Sequence, residues 1–201
     1  MRLGRGRGSR VPAPADWLVV GLGNPGSQYA GSPHNIGFEV AAELARRWDL
    51  PKPRTKFAGL LTVGRTSPRR ARVAVLLPQT FMNESGRSVG PARGAFGVAL
   101  DRVIVLHDEI DLPFGEVRAR LGGGLAGHNG LKSLAKEIGG PEFQRIRIGV
   151  GRPESTDPDH VSAYVLGRFR QSDGEVRELV GVAADAAETL IDSGGAGAAD
   201  S

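Results

Sequence analysis

The chain has 201 residues and a mass of 21.1 kDa, enough for one domain with a core of its own. It contains no cysteine, which excludes disulfides, thiolate metal sites and a cysteine nucleophile, and its four histidines leave little for a His-rich metal cluster. The net charge of +4 is unevenly spread: residues 46–72 carry nine basic and one acidic residue, 118–152 seven and two, and 153–201 three and ten, so one face can turn positive toward a polyanion.

Residues 1–16, MRLGRGRGSRVPAPAD, read as a disordered basic arm. Its arginines precede no apolar segment of the kind a secretory signal needs, and no apolar run reaches the ~18 residues of a membrane span, so a cytoplasmic protein without membrane attachment is expected. The folded domain is expected over 17–192 and a flexible tail over 193–201, SGGAGAADS.

Elements alternate between these ends. Trp17–Val20 is a short apolar run closed by Gly21 and reads as a buried strand. Phe38, Ala41, Leu44, Ala45 and Trp48 recur at helical spacing, predicting a helix over 36–48. Leu60–Val63 and Val73–Leu77 read as strands joined by a basic connection. A weaker helix is predicted over 84–97, an apolar strand at Val103–Leu106 and another strand at Val117–Leu121. Leu131, Leu134, Ala135 and Ile138 mark a helix, the alternation of Ile146, Ile148 and Val150 a strand over 144–150, and the spacing from Val176 to Leu190 a long final helix. Strands interleaved with helices predict an α/β fold: a single-domain three-layer sandwich, its central sheet mixed but mostly parallel and flanked by helices. Ligands of such sheets sit at the loops that leave the strand C-termini.

Four loops follow predicted strands. Gly21-Leu22-Gly23-Asn24-Pro25-Gly26 matches the letters of a dinucleotide fingerprint but not its context, since the next helix starts too late to offer its amides to a pyrophosphate. The loop displays Asn24 and Tyr29 and delivers His34 to a helix N-terminus, where the dipole disfavours the imidazolium; local packing is the plainer use of such a histidine. Pro78–Asn83 carries Phe81 and Met82, either of which suits a core, and Asn83, which suits an N-cap. His107-Asp108-Glu109-Ile110-Asp111 sets a carboxylate at a strand end, where it can orient an imidazole. It has no recognised metal-ligand spacing, so no metal or other cofactor is expected. Gly122–Gly130 has five glycines in nine residues, which lets backbone lie against a ligand, with His128 and Asn129 at its end and Asn129 a possible helix cap.

In this order, GLGNPGSQYAGSPHNIGF, LPQTFMNESG, HDEIDLPFG, LGGGLAGHNGLKS and FQRIRIGVGRP resemble the bacterial peptidyl-tRNA hydrolase family, from about Trp17 to Phe169. The resemblance implies hydrolysis of the ester between a peptide and the 3′-terminal ribose of tRNA, recycling tRNA from stalled translation, by a monomer that needs no cofactor. It implies that His34 is the base, Asp108 its partner carboxylate, and Asn24 a contact to the peptide main chain that favours N-blocked esters. Tyr29, Phe81, Asn83 and Asn129 match positions that hold the substrate's terminal region, with Met82 and His128 in lesser pocket roles. Arg118, Arg120, Lys132, Arg145 and Arg147 fall where the family turns basic residues toward tRNA.

The family's usual Thr-Arg before the histidine is Ser32-Pro33 in this chain, and proline fixes its own φ and extends the residue before it. The competing function is a non-catalytic RNA-binding protein on the same scaffold. The combination of Asn24, His34, Asn83, Asp108 and Asn129 separates the two, because a pure binder has no reason to assemble it.

Overall fold

A computed structural model describes residues 12–67 and 70–195. Seven strands form one sheet: β1 (Trp17–Gly21), β2 (Arg54–Lys56), β3 (Gly59–Arg65), β4 (Arg72–Pro78), β5 (Val103–Glu109), β6 (Val117–Leu121) and β7 (Gln144–Gly149), in the order β2-β3-β4-β1-β5-β7-β6. The four inner strands are parallel, and antiparallel ribbons close both edges: β2 and β3 on β4, and β6 on β7. The mostly parallel character expected from the sequence therefore belongs to the centre of the sheet.

Period-two alternation sends each inner strand's side chains to two separate cores. Trp17, Val19, Val73, Val75, Ile104 and Leu106 meet the helices α1 (Ile36–Arg47) and α5 (Asp173–Asp192). Leu18, Val20, Ala74, Leu76, Val103 and Val105 meet α2 (Gly86–Phe96) and α3 (Asn129–Ile138). Because both faces are covered, the inner strands read as continuous apolar runs, and for that reason they are visible in the sequence. Glycine sets the depth of α1: a Cβ on Gly37 would strike the Leu106 carbonyl and the Leu22 backbone, and one on Gly21 would strike the Gly37 carbonyl. The first helix can therefore press directly onto β1, and the loop of Asn24 emerges beside its N-terminus.

Two elements carry no usable sequence pattern. Strand β2 has three exposed polar residues, and α4 (Pro158–Leu166) mixes polar and apolar positions around its circumference. The helix predicted over 84–97 is a 3₁₀ turn, Met82–Glu84, followed by α2.

Residues 1–11 of the expected arm and 196–201 of the expected tail lie outside the described residues. The inner ends of both segments are packed. Ala15 is buried and its N–H donates to Phe96 O at 3.1 Å, and Asp16 Oδ2 accepts from Arg72 N at 2.7 Å. At the other end, Gly195 O accepts from Gln144 Nε2 at 3.0 Å. Among the described residues, no helix is long and apolar enough to cross a membrane.

Candidate active site

Parallel pairing of β4, β1 and β5 brings their C-terminal ends to one edge of the sheet. There the loops following β1, β4 and β5 border a cleft of about 640 Å³. Asn24, Tyr29, His34, Phe81, Met82, Asn83, Asp108, His128 and Asn129 all line it. A second groove of about 740 Å³, between α1 and α5, holds none of these residues.

The Gly-rich loop reaches the cleft by an unexpected route. Antiparallel pairing sets Leu121, the end of β6, opposite Gln144, and Gln144 is level with Ile104 near the start of β5. The loop therefore leaves from the edge opposite the cleft and climbs about 13 Å, four residues of strand rise, before His128 meets Asp108.

Asp108 organises the centre. Its side chain is 3% exposed, and Oδ1 accepts from His34 Nδ1 at 2.8 Å and from His128 Nε2 at 3.1 Å. His128, not Asn129, caps α3: its Nδ1 accepts from Gly130 N at 3.1 Å and Leu131 N at 3.4 Å. An acceptor at Nδ1 fixes the proton of neutral His128 on Nε2, facing Asp108. His34 donates from Nδ1, which leaves Nε2 as a lone pair on a side chain 13% exposed at the cleft.

Burial opposes the His34 imidazolium, but the Asp108 charge and hydrogen bond together outweigh it, and the net pKa lies above the ordinary 6.5. Burial likewise opposes the Asp108 carboxylate, and the two histidines outweigh it, holding Asp108 well below the usual carboxylate range. His107, fully buried below them, donates from Nδ1 to Asp108 O at 2.7 Å; desolvation, then repulsion from His128, push its pKa down to about 3.

The proline before His34 fits. Pro33 is buried at the first position of the 3₁₀ turn Pro33–Asn35, and Ser32 has the extended φ of −88° and ψ of 149° that a following proline favours. The imidazole still reaches Asp108.

Asn24 is held by Asn35, the neighbour of His34 at the start of α1. Asn35 Oδ1 accepts from Asn24 N at 2.8 Å, and Asn35 Nδ2 donates to Asn24 O at 3.0 Å. Met82 N donates to Asn24 Oδ1 at 2.8 Å, so Asn24 Nδ2 is left with no hydrogen bond among the described residues. The adjacency of Asn35 to His34 is the one trace of this role in the sequence. Val161, Val165 and Leu166 of α4 line the same cleft with apolar side chains, from an element that no sequence periodicity marks. Phe81 is 57% exposed on the rim, and Asn83 and Asn129 keep exposed amides.

The five basic positions divide. Arg118, Arg120, Arg145 and Arg147 share one face of the β6–β7 ribbon, Arg118 opposite Arg147 and Arg120 opposite Arg145. Arg118 is exposed and pairs with Glu116, and Arg147 pairs with buried Glu109 at 3.1 Å. Arg120 and Lys132 are exposed with no carboxylate partner among the described residues. Arg145 departs from the expectation of a phosphate contact: it is 2% exposed, and backbone carbonyls occupy its guanidinium.

His34, Asp108 and His128 also bring one ligand atom each within 4.8 Å of one another, a proximity that ligand spacing along the chain does not reveal. The tautomers do not suit a cation. To ligate through Nε2, His128 would have to move its proton to Nδ1, against the two backbone N–H groups it now accepts from.

The family model described as peptidyl-tRNA hydrolase matches residues 18–200. A peptidyl-tRNA hydrolase of Geobacillus kaustophilus (strain HTA426) is 46% identical over 175 residues, covering 87% of this chain and 92% of its own. One from Mycobacterium sp. (strain KMS) is 48% identical over 179 residues, covering 88% and 91%. The crystal structure of peptidyl-tRNA hydrolase from Acinetobacter baumannii aligns with a TM-score of 0.78 at 38% identity, over 89% of each chain. With sequence and fold agreeing over nearly the whole described domain, the chain belongs to the peptidyl-tRNA hydrolase family.

Proposed function

We propose that the chain hydrolyses the ester joining a peptide to the 3′-terminal ribose of tRNA, with His34 as general base. One observation carries the reading: His34 Nδ1 lies 2.8 Å from Oδ1 of buried Asp108 at the cleft, so that in the neutral imidazole Nδ1 donates to the carboxylate and Nε2 is the free base. Nε2 takes a proton from water as the water oxygen adds to the ester carbonyl carbon. Asp108 stabilises the imidazolium that results. When the tetrahedral intermediate collapses, the bond to the ribose oxygen breaks and His34 returns the proton to that oxygen. No acyl-enzyme is needed, since an ester is already activated and the chain has neither a cysteine nor a G-x-S-x-G elbow.

Asn24 Nδ2 suits a peptide carbonyl, which favours N-blocked over free aminoacyl esters. Asn83 and Asn129 offer amide donors to the developing oxyanion; loss of such a donor costs about 3–4 kcal/mol of barrier in other hydrolases. Arg118, Arg120, Lys132 and Arg147 form the positive approach for the tRNA backbone. A monomer working in the cytoplasm is the matching expectation.

The test is parallel incubation with an N-acetyl-aminoacyl-tRNA and its unblocked counterpart. Selective release of the blocked amino acid is expected. Tight tRNA binding with no release from either would favour the RNA-binding alternative.

A further inference from the structure

The Gly-rich loop poses a positioning problem. It must climb from the far edge of the sheet and set His128 and Asn129 at the cleft, yet Gly122, Gly123, Ala126 and Gly127 all have positive φ and glycine restrains a backbone least. Its upper end is held by His128, through the α3 cap and Asp108. Its lower end is held by the start of β7 and the residues just before it. Phe143 O accepts from Gly122 N at 3.0 Å, and Arg145 donates from Nη1 to Gly124 O at 2.6 Å and from Nη2 to Gly123 O at 2.8 Å, with a longer bond to Pro141 O at 3.4 Å.

Arg145 does this at a cost. It is buried, stacks on the Phe143 ring at 5.0 Å and has no ion-pair partner among the described residues. Burial, then repulsion from Arg120 and Arg147, depresses its pKa. Glu109 and Glu142 offset part of that penalty without pairing directly with it, and a buried guanidinium whose direct hydrogen bonds go to carbonyl oxygens is expensive unless its geometry is needed. Its planar fork spans two successive carbonyls, which the single ammonium of lysine cannot do in the same way.

We infer that Arg145 is a positioning residue for the hydrolytic reaction, pinning the base of the Gly-rich loop so that His128 and Asn129 present correctly at the cleft, and that it makes no contact with the tRNA backbone. The inference rests on the proposed catalytic roles of His34, Asp108 and Asn129.

Arg145→Lys and Arg145→Gln test it, with steady-state kinetics on an N-acetyl-aminoacyl-tRNA, tRNA affinity as a function of salt, and hydrogen exchange of the amides from Gly122 to Asn129. The expected result is a fall in kcat of about 10–100-fold, the scale of a misplacement near 1 Å. KM and the salt slope should stay near wild type, while exchange quickens across the loop. An unchanged kcat, or a loss confined to affinity with the salt slope reduced by about one, the mark of a lost phosphate contact, would overturn the inference. If Arg145→Gln does not fold, the lysine variant, which keeps stem and charge, decides. If the wild-type chain shows no hydrolysis, the reaction is at fault, and loop exchange in Arg145→Lys still reports on the pin.

Discussion

Two histidine N–H groups converge on one oxygen of Asp108, and that of His128 is fixed there by its other ring nitrogen, which accepts from Gly130 N. The Asp108 charge lifts the His34 pKa above 6.5, so the acid limb of kcat/KM should lie above that pH. Asp108→Asn removes the lift and leaves the burial. The limb should then shift to lower pH, and kcat should fall about 10²–10⁴-fold, the scale set by general-base and triad variants. An unmoved limb in the pH–rate profile would separate the two residues functionally. His107 has the opposite sign. Its folded pKa of about 3 lies below the ordinary 6.5, so the unfolded chain takes up a proton that the native chain refuses. Stability should fall as pH drops from 6.5 toward 3, with His107 contributing a slope of up to about 1.4 kcal/mol per pH unit. The His34 contribution is complete below 6.5 and is lost only as pH rises through its raised value, so it does not offset that slope. Denaturant midpoints measured across this range should flatten in His107→Asn; an equal slope in both proteins would place the acid sensitivity elsewhere.

At the scale of elements, the contact between α1 and β1 positions both Asn24 and His34, and it depends on Gly21 and Gly37 lacking side chains. Gly37→Ala is expected to destabilise the fold by about 1–3 kcal/mol, the usual cost of overpacking, because backbone atoms stand in the way of the new methyl group. A thermal melt equal to wild type would show that α1 can back away freely. The same contact explains why much of the molecule can be read from its sequence. Inner strands such as Val103–Leu106 are buried on both faces and announce themselves as apolar runs, and Asp108 stands out because it is a carboxylate that follows such a run, after His107, at a strand end. Strand β2 is held by edge pairing and α4 by apolar residues around a cleft, and neither leaves a periodic trace. Arg145 and Asn35 illustrate the other limit. Composition marks one as a surface cation and the other as an unremarked neighbour of His34, whereas their bonds reach across the fold, over 21 residues to Gly124 and 11 to Asn24. For the same reason the tight His34–Asp108–His128 grouping is absent from any local spacing.

Across the whole molecule, the β6–β7 ribbon sets Arg118 opposite Arg147 and Arg120 opposite Arg145, and the exposed pair, Arg118 and Arg120, is the part of it that a polyanion can meet. Binding of tRNA should weaken steeply with salt as phosphate contacts release counterions, and Arg120→Ala should lower the slope by about one. A salt-independent affinity would remove the basic ribbon from the account. In the proposed function that surface serves affinity and the imidazole serves chemistry, and a single substitution distinguishes them. In His34→Ala, single-turnover release of the N-acetyl amino acid should fall to the rate without enzyme, while tRNA affinity and its salt dependence match wild type. Release that persists near the wild-type rate in that variant would contradict water activation by His34.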